Sequence, residues 1–196
     1  GEVLYSSLDS LYRSPLAPRF REIEQQFNVR IIYGRRRFVD KETGVVSSPE
    51  VLLFDVSGYD INRLNAFKFQ LWERFGIDSA KYEHIWDYEQ YMRIAQPAIA
   101  SLHALGVGTA LEPAIILSHE YMGMPTVLAA ILEGEGSNFR TIFHAHECAT
   151  MRRIVEHHPG HDTMFYNVMR AAMAEGHYVD DVFGDQSDFY KHALIK

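Results

Sequence analysis

The chain carries one cysteine, Cys148, in 196 residues. That excludes a disulfide framework and any multi-cysteine zinc site, and a lone thiol fits a reducing compartment. Long apolar runs are missing as well. No stretch approaches the ~18 consecutive apolar residues of a membrane span, and the first residues show no signal-peptide pattern. Positive charge is scarce: 19 Lys and Arg face 26 Asp and Glu, for a formal charge of −7. The only basic run is Arg35-Arg36-Arg37, far short of the stripe that a phosphate backbone requires. These absences predict a soluble, cytoplasmic protein with neither a nucleic-acid nor a membrane partner. The common nucleotide and nucleophile signatures are absent too: no GxGxxG after a strand, no P-loop and no GxSxG elbow. Gly106-Val107-Gly108 follows a helical stretch rather than a strand, so it is no phosphate cradle.

Apolar residues are not lacking. At 47% hydrophobic and 13% aromatic, the chain can bury a sizeable core within a single domain over residues 1–196, and disorder is excluded. Near the N-terminus, Val3-Leu4-Tyr5 is a short strand candidate and Ser14 to Pro18 a loop. Phe20, Ile23 and Phe27 recur at helical spacing within Arg19 to Phe27. Val29 to Tyr33 predicts a strand that Gly34 and the arginines end or edge. Asp40 to Pro49 predicts a hairpin or loop. Val51 to Val56 (VLLFDV) is a continuous apolar run, as expected of a strand buried on both faces of a sheet. Ile61 to Phe75 is helical, with Gly76 as its stop. Trp86 to Leu105 is a longer helix that Pro97 should kink or divide.

The second half is regular. Ala114 to Leu117 is a strand, Pro125 to Leu132 a helix with proline in its first turn, and Gly134, Gly136 and Ser137 a turn. Thr141 to Phe143 is a strand and Thr163 to Ala174 a helix stopped by Gly176. Val182-Phe183 is a short strand, and Gln186 to Leu194 opens a last helix. This alternation predicts an α/β fold, a Rossmann-like mostly parallel sheet with helices on both faces.

Ligands of such sheets bind at the carboxyl ends of the strands. Two strand ends here are polar: Ser118-His119-Glu120-Tyr121 after AIIL, and His144-Ala145-His146-Glu147 after TIF. Alternation places 144 and 146 on one face. Imidazoles and carboxylates at one edge can donate to and accept from a hydroxyl-rich ligand such as a sugar. Histidine is common here, ten in all, so most are structural. His84, His103, His177 and His192 are read as surface or satisfied polar contacts. His157, His158 and His161 flank Pro159-Gly160 in a loop, where solvation is the simpler reading than a metal site. Cys148, next to Glu147, is read as a buried filler rather than a thiolate activated by His144 or His146. The aromatic stretch Tyr82 to Tyr91 (YEHIWDYEQY) packs a helix on the sheet, with sugar stacking as its alternative.

Four of these segments resemble the N-terminal domain of glycogen and starch synthases, retaining glycosyltransferases of the two-domain GT-B type. They are VLLFD (51–55) with INRLNAFKFQLW (61–72), IILSHEY (115–121), RTIFHAHECAT (140–150), and residues 169–194. The resemblance spans roughly 29 to 196. Three departures stand out. Tyr121 replaces the family's tryptophan, the following glycine is shifted to Gly123, and the family's Lys-x-Gly-Gly-Leu loop has no counterpart. The resemblance implies one half of a GT-B enzyme, lacking the first βαβ unit and the C-terminal donor-binding domain. It implies glucose transfer from ADP- or UDP-glucose to an α-1,4-glucan, by an isolated chain that is inactive alone.

By the same resemblance His146 contacts the donor glucose near the reacting carbon, and Glu120 is the acidic residue at the cleft edge. His119, Tyr121 and His144 are implied to bind substrate. No metal and no cofactor are implied, the nucleotide sugar being a substrate. Two other readings of the same residues remain: a stand-alone sugar- or glucan-binding module, and a metal-dependent hydrolase built on His144 and His146.

Overall fold

The computed structural model describes residues 1–134, 138–145, 150, 152–153, 162–177, 181, 184–186 and 188–194. It is a mixed α/β structure built from small sheets and packed helices. The first sheet holds β1 (Glu2–Ser6), β2 (Leu11–Tyr12), β3 (Arg30–Arg35) and β6 (Glu50–Asp55), in the order β2-β1-β3-β6. Every pairing in it is antiparallel. Between β3 and β6, a hairpin of β4 (Phe38–Val39) and β5 (Val46–Ser47) extends outward. Asp40 shapes its turn, accepting from the amides of Glu42 and Thr43 at 2.8 and 2.9 Å.

Gly34 lies inside β3 rather than at its end. A Cβ there would fall on the Glu2 carbonyl oxygen, so β1 can approach only a glycine. Helix α1 (Ala17–Phe27) buries Phe20, Ile23 and Phe27, the three residues its periodicity predicts. Its Glu24 carboxylate ties the helix to two strands. It accepts from the Tyr5 hydroxyl at 2.7 Å, the Ser7 hydroxyl at 2.6 Å and the Ile31 amide at 2.6 Å.

The expectation of a mostly parallel sheet is corrected here. β6 is an edge strand of an antiparallel sheet, not a central strand buried on both faces. Register pairs Ile31 with Phe54 and Tyr33 with Leu52. Ile31 and Tyr33 are buried in the core, and Leu52 and Phe54 pack against it. Leu53, on the opposite face, is 56% exposed. A run of apolar residues does not reveal whether its second face is covered; the pairing does.

Helix α2 (Ile61–Phe75) has the predicted bounds. Asp60 caps it by accepting from the amides of Asn62 and Arg63, and Gly76 ends it in the left-handed conformation at φ 69°. After a 3-10 turn over Ser79–Tyr82, α3 (Trp86–Ala104) runs through Pro97 as a single helix. It packs between α1 and α4 (Glu120–Leu132), so Tyr88, Met92, Ala95 and Ile99 are all core residues.

Among the described residues one βαβ unit is present: β7 (Ala114–His119), α4, and β8 (Phe139–His144), with β7 and β8 parallel neighbours. Helix α5 (Asp162–Ala174) is followed by Gly176 at φ 79°. Beyond it, the described part of 186–194 is turns and a 3-10 turn over His192–Leu194, not the α-helix expected there. The expected turn at 136–137 and strand at 182–183 lie outside the described residues. No helix among the described residues is long and apolar enough to cross a membrane.

Candidate functional site

The site is built where β7 turns into α4. The sequence places a strand end at Ser118 to Tyr121, and the structure removes any loop between strand and helix. β7 ends at His119 and α4 begins at Glu120. The turn is tight enough to force Glu120 to φ 56°, a left-handed conformation that costs a non-glycine residue about 1–2 kcal/mol. Two neighbours hold it. The buried Ser118 hydroxyl donates to the Glu120 carbonyl at 3.2 Å. Gly123, one turn into α4, lets the helix sit down on β7. A Cβ at 123 would lie 2.7 Å from Ser118 Oγ and 2.9 Å from its Cα. This accounts for a glycine at 123.

β8 runs parallel beside β7, in a register that pairs His119 with His144. Their rings stand 5.4 Å apart between centroids, tilted by 56°. Both side chains are exposed. They top a sheet face on which Ile115, Leu117 and Ile142 are also exposed. Two imidazoles on successive strands therefore meet at one carboxyl edge.

Glu120 and Tyr121, in contrast, are buried. The Tyr121 hydroxyl donates to Asp87 Oδ2 at 2.6 Å, and the Tyr190 hydroxyl donates to the same oxygen at 2.6 Å. Lys191 Nζ lies 3.9 Å away. Asp87 in the first turn of α3 thus joins α3, the start of α4 and the C-terminal segment. The two phenols hold its carboxyl below the usual range against a smaller opposing effect of burial, and the Lys191 charge adds a lesser contribution in the same direction as the phenols. Burial first, and then the Asp87 carboxylate, push the Tyr190 phenol up to about 12 and Tyr121 higher still. The hydroxyl at 121 is thus a hydrogen-bond donor with a fixed acceptor.

Of the residues expected at the site, His119 and His144 come together, and Glu120 and Tyr121 lie directly behind them. His146 lies outside the described residues, as do Cys148, His157, His158 and His161. Among the described residues no three His, Cys, Asp or Glu side chains form a group that could hold a metal ion. The four histidines read as structural all have such surroundings or surface positions. His103 bonds Glu133 at 3.0 Å, buried His192 bonds Thr150 at 3.1 Å, His177 lies 3.5 Å from Glu175, and His84 is on the surface.

Sequence reasoning missed Asp87 and Tyr190, and it named Ser118 and Gly123 without the packing roles that shape the site here. Asp87 sits in the aromatic stretch Tyr82 to Tyr91, whose Tyr82 and Tyr88 are core residues as expected. Its partner Tyr190 is 103 positions away, and nothing local signals such a pair. Comparison of the chain with models of known families, with curated proteins and with solved structures returned no match.

Proposed function

We propose that this chain is the acceptor-side half of a retaining glycosyltransferase of the glycogen and starch synthase type. On this reading the parallel β7–α4–β8 unit is the part of the chain that belongs to the sheet of a GT-B half, and the reaction transfers glucose from ADP- or UDP-glucose to the end of an α-1,4-glucan. One observation carries it most: two exposed imidazoles aligned in register at the carboxyl ends of adjacent parallel strands. That edge is where open α/β sheets receive ligands, and it has the donors and acceptors that sugar hydroxyls need.

Glycosyl transfer passes through an oxocarbenium-like state while a diphosphate departs. The sugar side needs neutral hydrogen-bonding groups, and the phosphate side needs cations. His119 and His144 are assigned to sugar hydroxyls, and His146 to the donor glucose near its reacting carbon. Glu120 and Tyr121 are assigned to the wall of the cleft, held by Ser118 and Asp87. The cations for the diphosphate are assigned to a separate donor-binding domain.

The test is transfer of labelled glucose from each donor to a maltooligosaccharide. The chain alone should give none, and the full-length protein should elongate the primer with one donor. Robust elongation by the chain alone would contradict the half-enzyme assignment. Sugar binding by the full-length protein without transfer from either donor would leave a binding module in its place.

A further inference from the structure

Helix α2 buries Leu64, Phe67 and Leu71 but turns a second set of large side chains outward. Phe69 and Trp72 are each 56% exposed. Their rings lie 5.8 Å apart, tilted by 39°. Exposing two aromatic rings in one patch costs apolar hydration, and such patches mark interaction sites. This one is not a bare apolar face. It borders a groove of about 370 Å³ lined by Asn65, Lys68, Asp78 and Glu83 along with the two rings. The Asn65 carboxamide has no hydrogen-bond partner among the described residues. The Glu83 side chain is mostly exposed, with one carboxylate oxygen 3.9 Å from Lys68 Nζ. Lys68 is 6% exposed, and its ammonium is taken up by buried Glu89 at 2.8 Å. The groove therefore offers hydrogen-bond acceptors and an amide around an aromatic platform, with its one cation already neutralised.

That chemistry selects among ligands. An anion would meet Asp78 and Glu83 with no available counter-charge. A quaternary ammonium group is held by rings that face one another across it, whereas Phe69 and Trp72 stand side by side on one helix. A polyhydroxylated ring suits the arrangement: its C–H face covers an aromatic ring while its hydroxyls bond the amide and carboxylates around it. We propose that this groove binds a neutral polysaccharide chain, with Trp72 and Phe69 as its platform and Asn65 and Glu83 as its hydrogen-bonding rim. None of these residues lies on β7, β8 or α4. The site is separate from the His119–His144 edge and does not depend on the reaction assigned there.

Native electrophoresis through gels containing soluble starch, hydroxyethylcellulose or xylan tests the proposal. At least one polysaccharide should retard the chain. Trp72→Ala should weaken that retardation about tenfold in apparent Kd, the order expected for losing one stacked ring. Circular dichroism and thermal melting should show Trp72→Ala folded, because the ring is exposed. Glu83→Gln, which keeps the shape, should weaken binding less. A spectroscopic readout is independent of any mobility artefact. The chain has two tryptophans, so Trp86→Phe leaves Trp72 as the only indole, and its emission should shift to the blue when the retarding polysaccharide is added. Three results would overturn the proposal. One is no retardation by any of the polysaccharides. Another is binding lost in His144→Ala but unchanged in Trp72→Ala, which would place the sugar at the strand ends. The third is a wild-type dimer that Trp72→Ala dissociates, which would make the patch a contact between copies.

Discussion

Asp87 holds two phenols on one oxygen, and its ionisation is tied to the folded state. Its folded pKa lies below the unfolded value of about 3.9. Between those two values the unfolded chain binds the extra proton, so stability rises with pH there. The contribution is complete above about pH 4 and is lost as pH falls through the folded value. Urea midpoints of wild type and Asp87→Asn should therefore differ most above pH 4 and converge below it. A constant difference across that range would show that the carboxylate's charge is irrelevant. Gly123 gives a second residue-level prediction. In an ordinary helical position, Gly→Ala stabilises by about 1 kcal/mol. Here the new Cβ meets Ser118 Cα at 2.9 Å, so Gly123→Ala should instead destabilise by about 1–3 kcal/mol. A denaturation curve gives the sign directly, and a stabilised variant would mean that α4 does not rest on β7 as described.

The seam between α2 and α3 rests on charge as well as packing. Lys68 and Glu89 are 6% and 4% exposed, with Nζ 2.8–2.9 Å from both carboxylate oxygens. Arg93 lies 3.7 Å from the same carboxylate and covers the Trp86 ring. Removing one member leaves a buried charge, so Lys68→Ala should cost about 3–5 kcal/mol. Lys68→Met combined with Glu89→Leu should recover more than half of that, because the apolar pair needs no desolvation. Equal losses in the single and double variants, measured by urea unfolding, would show the pair to be uncoupled. Helical elements such as α2 were legible in the sequence because their signals are local: an apolar period of 3.6, Asp60 before the first turn and Gly76 after the last. Lys68 at a core position was not legible, since its partner lies 21 positions away on another helix. The longer strands were legible as well, but the two-residue strands β2 and β4 were not, and neither were strand neighbours. VLLFDV reads the same whether its partners are parallel or antiparallel, and only the pairing with β3 shows that Leu53 faces outward.

At the scale of the whole molecule, an antiparallel sheet with α1 and a βαβ unit meet around α3, and the polar chemistry gathers at the carboxyl end of the parallel pair. His119 and His144 could be placed at one edge from sequence because alternation and the strand–helix–strand order dictate it. The hub behind them could not, because Asp87, Tyr121 and Tyr190 come from three distant segments. The central claim is that this edge faces a reacting sugar. Its most direct measurement is the steady-state rate of glucose transfer to a maltooligosaccharide by the full-length protein, wild type against His146→Ala, under the donor that supports turnover. A loss of about 10²-fold or more is expected, the scale of removing one positioned polar contact from a transition state. Wild-type turnover by His146→Ala, folded to the same melting temperature, would contradict it.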